Sequence, residues 1–131
     1  EEAQAQYKTL LKQGLVQPTE MELYIAKADG SEARQITELG GANWAPFFHP
    51  SGEKVLFASN HHSKSGRLFN LFLINLDGTG LEQVTFDNVF DSFPMFSFDG
   101  KKIAFSSNRG NNADPNAYGG ATNVFVADWV D

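Results

Sequence analysis

The sequence predicts an all-β chain of β-propeller blades, about two and a half of them, each with four antiparallel strands, preceded by a short N-terminal helix. Three observations carry this reading. The chain repeats itself at an offset of 48 residues without a gap. Each copy divides into four short strand-like runs. Asp-Gly and Ser-Gly pairs punctuate those runs at the places where antiparallel strands turn back.

The helix comes first. Tyr7, Leu10, Leu11 and Leu15 recur at helical spacing, Gly14 can end the turn and Pro18 forbids continuation. The pattern predicts an amphipathic helix over residues 3–14, packed on the blades, within a helical and linker segment spanning 1–20. The propeller part spans 21–131. "ELYIAKADGSEARQIT" (22–37) aligns with "NLFLINLDGTGLEQVT" (70–85), and "APFFHPSGEKVLFASN" (45–60) with "FPMFSFDGKKIAFSSN" (93–108). The repeats run 22–60 and 70–108, and a third begins at "TNVFVADWVD" (122–131). Identical pairs include Asp29 and Asp77, Thr37 and Thr85, Pro46 and Pro94, Ser59 and Ser107, and Asn60 and Asn108. One full blade results, with two strands before it and three after it. Closed propellers need roughly four to eight blades. Such a piece is expected to expose apolar faces and strand edges, so further blades, or copies of the chain, are expected to complete a ring.

Composition narrows the function classes. The 131 residues carry a net charge of −6, and the 10 Lys and Arg are scattered, which argues against a nucleic-acid surface. No run is long and apolar enough to span a membrane. The opening "EEAQAQ" is acidic and polar, unlike a signal peptide. Without cysteine there are no thiolate–metal sites, thiol nucleophiles or disulfides. No Gly-x-Ser-x-Gly elbow, P-loop or dinucleotide fingerprint occurs, and no cofactor or catalytic residue is assigned.

The phrases "PSGEKVLFASN" and "SFDGKKIAFSSN", with "LYIAKADG…RQIT" and "LFLINLDG…EQVT", resemble the repeat of the TolB-like β-propeller family over residues 21–131. The sequence departs from that pattern at Ser51, where Asp is usual, and at Phe98, where Pro is usual. The ending "NVFVADWVD" resembles a terminal strand, which implies the C-terminal part of a longer propeller. The resemblance implies an exported, periplasmic binding protein whose relatives partner an outer-membrane lipoprotein and Tol proteins. Similar blades also gate prolyl-oligopeptidase-like serine peptidases or belong to polysaccharide lyases, so fold alone does not fix function.

Blade topology sorts the connections. The turns at 29–30, 52, 77–78 and 99–100 fall on one face, and the longer segments 38–45, 60–69, 86–93 and 108–122 on the other, where binding sites usually sit. On that longer-loop face the candidate ligand or partner-binding residues are Asn43, Trp44, His61, His62, Asp91 and Arg109. His61 and His62 follow a strand end, where successive side chains diverge, so they do not chelate one ion from a regular backbone. A metal would need donors such as Asp91, Asp87 or Asn43, and no metal site is assigned. A general-base role for one histidine is a second alternative. A loop histidine that bonds backbone or a partner is the reading adopted. Trp44 stands in a Gly-rich stretch, either exposed for stacking or buried beside Phe47. Arg109 either pairs with an acidic ligand or is a solvated loop charge. Asn60 and Asn108 hold equivalent places and read as loop-backbone supports. The predicted function is a non-catalytic module that binds a protein or peptide through the long-loop face. The alternative is a propeller hydrolase or lyase using His61 or His62 with a metal, or a propeller that gates a peptidase.

Overall fold

Runs rich in Val, Ile, Leu and Phe form six-residue strands here, and those of the middle sheet are covered on both faces. A computed structural model of the chain describes residues 2–13, 19–110 and 121–130. Helix α1 (Glu2–Lys12) is followed by β1 (Tyr24–Ile25), β2 (Arg34–Gln35), β3 (Asn43–Phe48), β4 (Lys54–Ser59), β5 (Asn70–Asn75), β6 (Glu82–Gln83), β7 (Asp91–Phe96), β8 (Lys102–Ser107) and β9 (Asn123–Asp128). They form three antiparallel sheets in the orders β1-β2, β3-β4-β5-β6 and β7-β8-β9. These are the outer pair of one blade, a complete blade and three strands of the next, as the repeat predicts.

The middle sheet is apolar on both faces, which is why "KVLFAS" and "NLFLIN" lack the polar alternation of a half-solvated strand. Val55, Phe57, Phe72 and Ile74 point to the first sheet and pack with Leu23 and Ile36. Leu56, Ala58, Leu71 and Leu73 point to the third and pack with Phe96, Ile103 and Phe105. Leu56, Phe57, Ala58 and Leu71 are fully buried. Each large side chain so buried contributes about 1.5–3 kcal/mol. The outer face of the third sheet has no such cover among the described residues, and Val124 and Val126 are 73% and 64% exposed.

Both inner strands carry the same irregularity. Pairing slips between Trp44 and Phe47 in β3, and between Ser92 and Met95 in β7. At each slip a non-glycine residue takes a left-handed conformation, Ala45 at φ 51° and its repeat partner Phe93 at φ 54°. Pro46 and Pro94 follow. These are β-bulges, which bend the strand and re-aim the rim residues just before them.

The short turns are held by their own side chains. Asp29 accepts from the N–H and hydroxyl of Ser31, and Asp77 does the same for Thr79. Asp99 accepts from Ser97 and from the Lys101 N–H. Ser51, at the place of Asp99, accepts the Glu53 N–H, so the departure from Asp keeps the turn. Phe98, where Pro is usual, is fully exposed at its turn.

Helix α1 ends at Lys12, and Gly14, Leu15 and Pro18 lie outside the described residues. The expected packing of the helix on the blades is corrected. Tyr7 and Leu11 are half exposed, and among the described residues no strand lies against α1.

Two-sided cover predicts unequal costs for similar truncations. Leu56→Ala should lower the unfolding free energy by about 3 kcal/mol, and Val126→Ala by less than about 1 kcal/mol, read from urea midpoints at constant slope.

Candidate functional site

Strands β3, β5, β7 and β9 begin, and β4 and β8 end, at one rim of the molecule. The 60–69 and 84–90 connections leave from this rim, whereas the tight turns at 49–53 and 76–81 lie at the opposite end. The rim is first of all a scaffold. Asn60 accepts the Ala42 N–H at 2.7 Å, and Asn108 accepts the Phe90 N–H at 2.8 Å. The two asparagines hold corresponding backbone, as their equivalence in sequence predicts. Gly41 passes so close that a Cβ there would lie 2.6 Å from the Asn60 Oδ1, and its φ of +66° suits glycine.

Upon this scaffold sit two matching polar sets. In the first, the Ser59 hydroxyl donates to Asn43 Oδ1 at 2.6 Å. Ser59 Oγ then accepts the backbone N–H of His61 at 3.1 Å and stands 2.8 Å from His61 Nδ1. Since the serine proton is already given to Asn43, Nδ1 of His61 carries the proton and donates. In the second set, Ser107 Oγ accepts the backbone N–H of Arg109 at 3.1 Å and its Nε at 3.0 Å. The Arg109 guanidinium donates to both oxygens of Asp91, at 3.0 and 2.9 Å, and reaches Asp87 at 3.3 Å. Asn43 and Asp91, Ser59 and Ser107, and His61 and Arg109 are each 48 residues apart. The chemistry changes as a unit: a neutral amide accompanies histidine, and a carboxylate accompanies arginine.

Both sets cap an aromatic pair between sheets. Phe57 and Phe72 lie 6.0 Å apart, and His61 rests on Phe72 at 4.6 Å. Phe105 and Phe125 lie 6.1 Å apart, and Arg109 covers them at 5.0 and 5.7 Å. The guanidinium gains cation–π attraction there. Burial holds the His61 imidazole below the ordinary histidine value of 6.5, and the neighbouring His62 adds to that, while Glu22 opposes it.

The predicted site residues therefore divide by depth. Asn43 and Asp91 are buried and fully bonded; Asn43 also donates to Met21 O, Glu22 and Gly40 O. They organise the rim from beneath. Arg109 is partly exposed and tied to two carboxylates. His61 is partly exposed and His62 exposed, with their rings 5.7 Å apart and both leaning on Phe72. Among the described residues no three His, Asp or Glu side chains gather as a metal site. The exposed loop position expected as one option for Trp44 is corrected. Trp44 lies in β3, half-buried, stacked on Phe69 at 4.4 Å and under Phe93 at 6.4 Å. Its Nε1 donates to Ser92, the residue 48 positions on, because the two inner strands run side by side. Ser59, Ser107 and Glu22 escaped sequence reasoning. The signal for the serines was present, since they repeat at the same offset. Most of the 108–122 connection lies outside the described residues.

Comparison with known proteins follows the same lines. The sequence profile of the TolB beta propeller domain matches residues 13–123. No curated protein matches the chain. Among solved structures, a protein described as TolB from Agrobacterium tumefaciens is 23% identical, with a TM-score of 0.67, over 82% of this chain and 37% of its own. TolB from Acinetobacter baumannii is 26% identical, with a TM-score of 0.62, over 82% of this chain and 24% of its own. Hydrazine synthase of Kuenenia stuttgartiensis is 19% identical, with a TM-score of 0.53, over 66% of this chain and 14% of its own. The chain thus spans well under half the length of each. The likeness to an enzyme at such identity is one of fold alone.

Two outcomes test the paired sets. Asp91→Ala leaves the Arg109 guanidinium without its buried partner and should cost about 3 kcal/mol. The double variant Asp91→Asn with Arg109→His, which rebuilds the first set in the second place, should recover most of that loss in urea unfolding. The second outcome concerns pH. His61 has a lower pKa folded than unfolded, so between the two values the unfolded chain binds the extra proton and stability falls as pH falls below 6.5. The carboxyls of Asp29, Asp77 and Asp99 are held below 3.8 by hydrogen bonds, so their contribution is lost only at lower pH. His61→Gln should flatten the Tm profile between pH 7.5 and 5 and leave the more acidic decline in place.

Proposed function

This chain belongs to the TolB beta propeller family, and from that premise we propose that it is a non-catalytic binding and scaffold module whose long-loop rim engages a protein or peptide. One observation carries the reading. The turn end is nearly the same in both copies, held by Asp29, Asp77 and Asp99 with Ser51 as substitute, whereas the rim changes its chemistry from blade to blade. A rigid frame with variable residues at one end is the usual build of a recognition surface. His62, exposed beside the anchored His61, and the Arg109 edge over Phe105 and Phe125 supply the contacts. Asn43 and Asp91 act as the supports that aim them. Trp44 acts through Phe93, the exposed outer ring of its stack.

Residues 1–20 serve as a helical linker and 21–131 as part of a propeller. The exposed Val124 and Val126 face seats a further blade, in keeping with relatives that are much longer than this chain. Export to the periplasm is part of the same proposal, supported by the likeness to the two TolB structures.

The test is site-specific photo-crosslinking in the full-length protein in its native cells. A probe at position 62 should form a discrete adduct with a protein partner, and a probe at position 77, on the turn end, should not. Equal labelling from both positions, or adducts only from position 77, would overturn the assignment of the rim.

A further inference from the structure

The loop between β4 and β5 differs in charge from the rest of the chain. Residues 61–67 hold His61, His62, Lys64 and Arg67 and no carboxylate, although the whole chain has 16 Asp and Glu against 10 Lys and Arg. The neighbouring segments of the rim bring acid instead, Glu38 in one and Asp87 in the other. Three carboxylates of the rim are engaged elsewhere. Glu22, beside His61, accepts the Leu39 N–H at 3.0 Å, the Gly40 N–H at 2.8 Å and Asn43 Nδ2 at 3.1 Å. Asp87 and Asp91 hold Arg109. Among the described residues Lys64 makes no ion pair.

The loop is closed by its own bonds. Asn60 Nδ2 donates to the Gly66 carbonyl at 2.7 Å while its Oδ1 accepts the Ala42 N–H, so one side chain ties the loop shut and fastens it to the segment entering β3. Two turns follow one another inside it, Ser63 N–H to Asn60 O at 2.8 Å and Gly66 N–H to Ser63 O at 3.1 Å. The Ser63 and Ser65 hydroxyls lie 3.2 Å apart, and Ser65 Oγ accepts the Arg67 N–H at 3.3 Å. Both serines thus serve the loop itself, and Phe69, buried and stacked on Trp44, pins its far end. His62, Lys64 and Arg67 stand exposed on the outside. A loop fixed in advance loses little freedom on binding.

We propose that this loop recognises an acidic segment of the rim's partner, an extended stretch with two or more Asp or Glu side chains. Lys64 takes a carboxylate directly, Arg67 adds positive field beside it, and the exposed His62 ring offers an N–H at the edge. Complementary charge speeds the encounter and rejects partners of the wrong sign. The small extent of the patch favours a short acidic segment over nucleic acid or an anionic membrane. Those present charge over a wide surface, where the chain's net −6 is repelled. The proposal rests on the reading of the rim as a protein- or peptide-binding face and deepens it by naming the chemistry of the partner.

The probes are two fluorescent peptides, Gly-Ser-Asp-Glu-Asp-Glu-Gly-Ser and its counterpart with Asn and Gln in place of the acids, titrated with the full-length protein and followed by anisotropy. The acidic peptide should bind saturably, and the amide peptide about fivefold or more weakly. Lys64→Glu should weaken the acidic peptide by about fivefold or more, since attraction turns to repulsion, and Lys64→Arg should keep it. Lys101→Glu, the same change of net charge at the turn end, should alter binding by less than about twofold. Lys64 is exposed, so its variants should unfold at the wild-type urea midpoint, which makes the loss one of binding. No saturation up to millimolar peptide, equal binding by the amide peptide, equal loss from Lys101→Glu, or binding to anionic phospholipid vesicles in place of the peptide would overturn the proposal. The crosslinking experiment separates the two readings. An adduct from position 62 that persists unchanged in Lys64→Glu overturns this proposal and leaves the rim assignment standing, whereas no adduct from position 62 in the otherwise native sequence overturns the rim assignment and this proposal together.

Discussion

A sheet that is apolar on both faces cannot hold itself in water; it has to be covered on both sides. In this chain β4 and β5 impose that condition. Val55, Phe57, Phe72 and Ile74 need one neighbouring sheet, and Leu56, Ala58, Leu71 and Leu73 need another. Three sheets stacked in sequence follow from it, and so does the shape of the ends. The first sheet is narrow, and the third is covered on one face and, among the described residues, bare on the other. The polar rim is then fixed by where the strands start and stop, because buried strands bring their terminal side chains to one level.

On that level the chain separates support from variation. Asn60 and Asn108, with Thr37 and Thr85, bond backbone and are the same in both copies. The sets Asn43–Ser59–His61 and Asp91–Ser107–Arg109 keep one geometry and exchange their charge. The permanently charged guanidinium has buried Asp91 beneath it, while His61, with only an amide and a serine within bonding distance beneath, is held toward its neutral form. A cation at position 61 would face Asn43 without a buried counter-charge, and an uncharged residue at 109 would leave Asp91 alone, so each half of a set constrains the other.

Much of this was legible in the sequence, and the reasons differ by residue. The 48-residue offset makes the four-strand unit, the strand count and the supporting roles of Asn60, Asn108, Asp29 and Asp77 readable, because the same residue stands at the same place in both copies. Asn43 and Asp91 read in the sequence as ligand or partner contacts and stand in the structure as buried supports. Their partners stand 16 or 18 residues away, at or just past the end of the neighbouring strand, and Asn43 and Asp91 do not repeat each other's residue type. Trp44 was ambiguous for a similar reason: its two stacking partners, Phe69 and Phe93, come from different segments. The helix was readable from its period but not its environment, since period reports which face is apolar and not whether anything is free to cover it.

Native-state amide exchange across the three sheets tests the central claim, that cover on both faces and not strand pairing alone holds the chain together. β8 and β9 are paired along six residues, just as β4 and β5 are. The account predicts the slowest exchange at residues 56–58 and 71–74, with the amides that pair β8 to β9 opening at clearly lower free energy. Equal protection of the two strand pairs would contradict it.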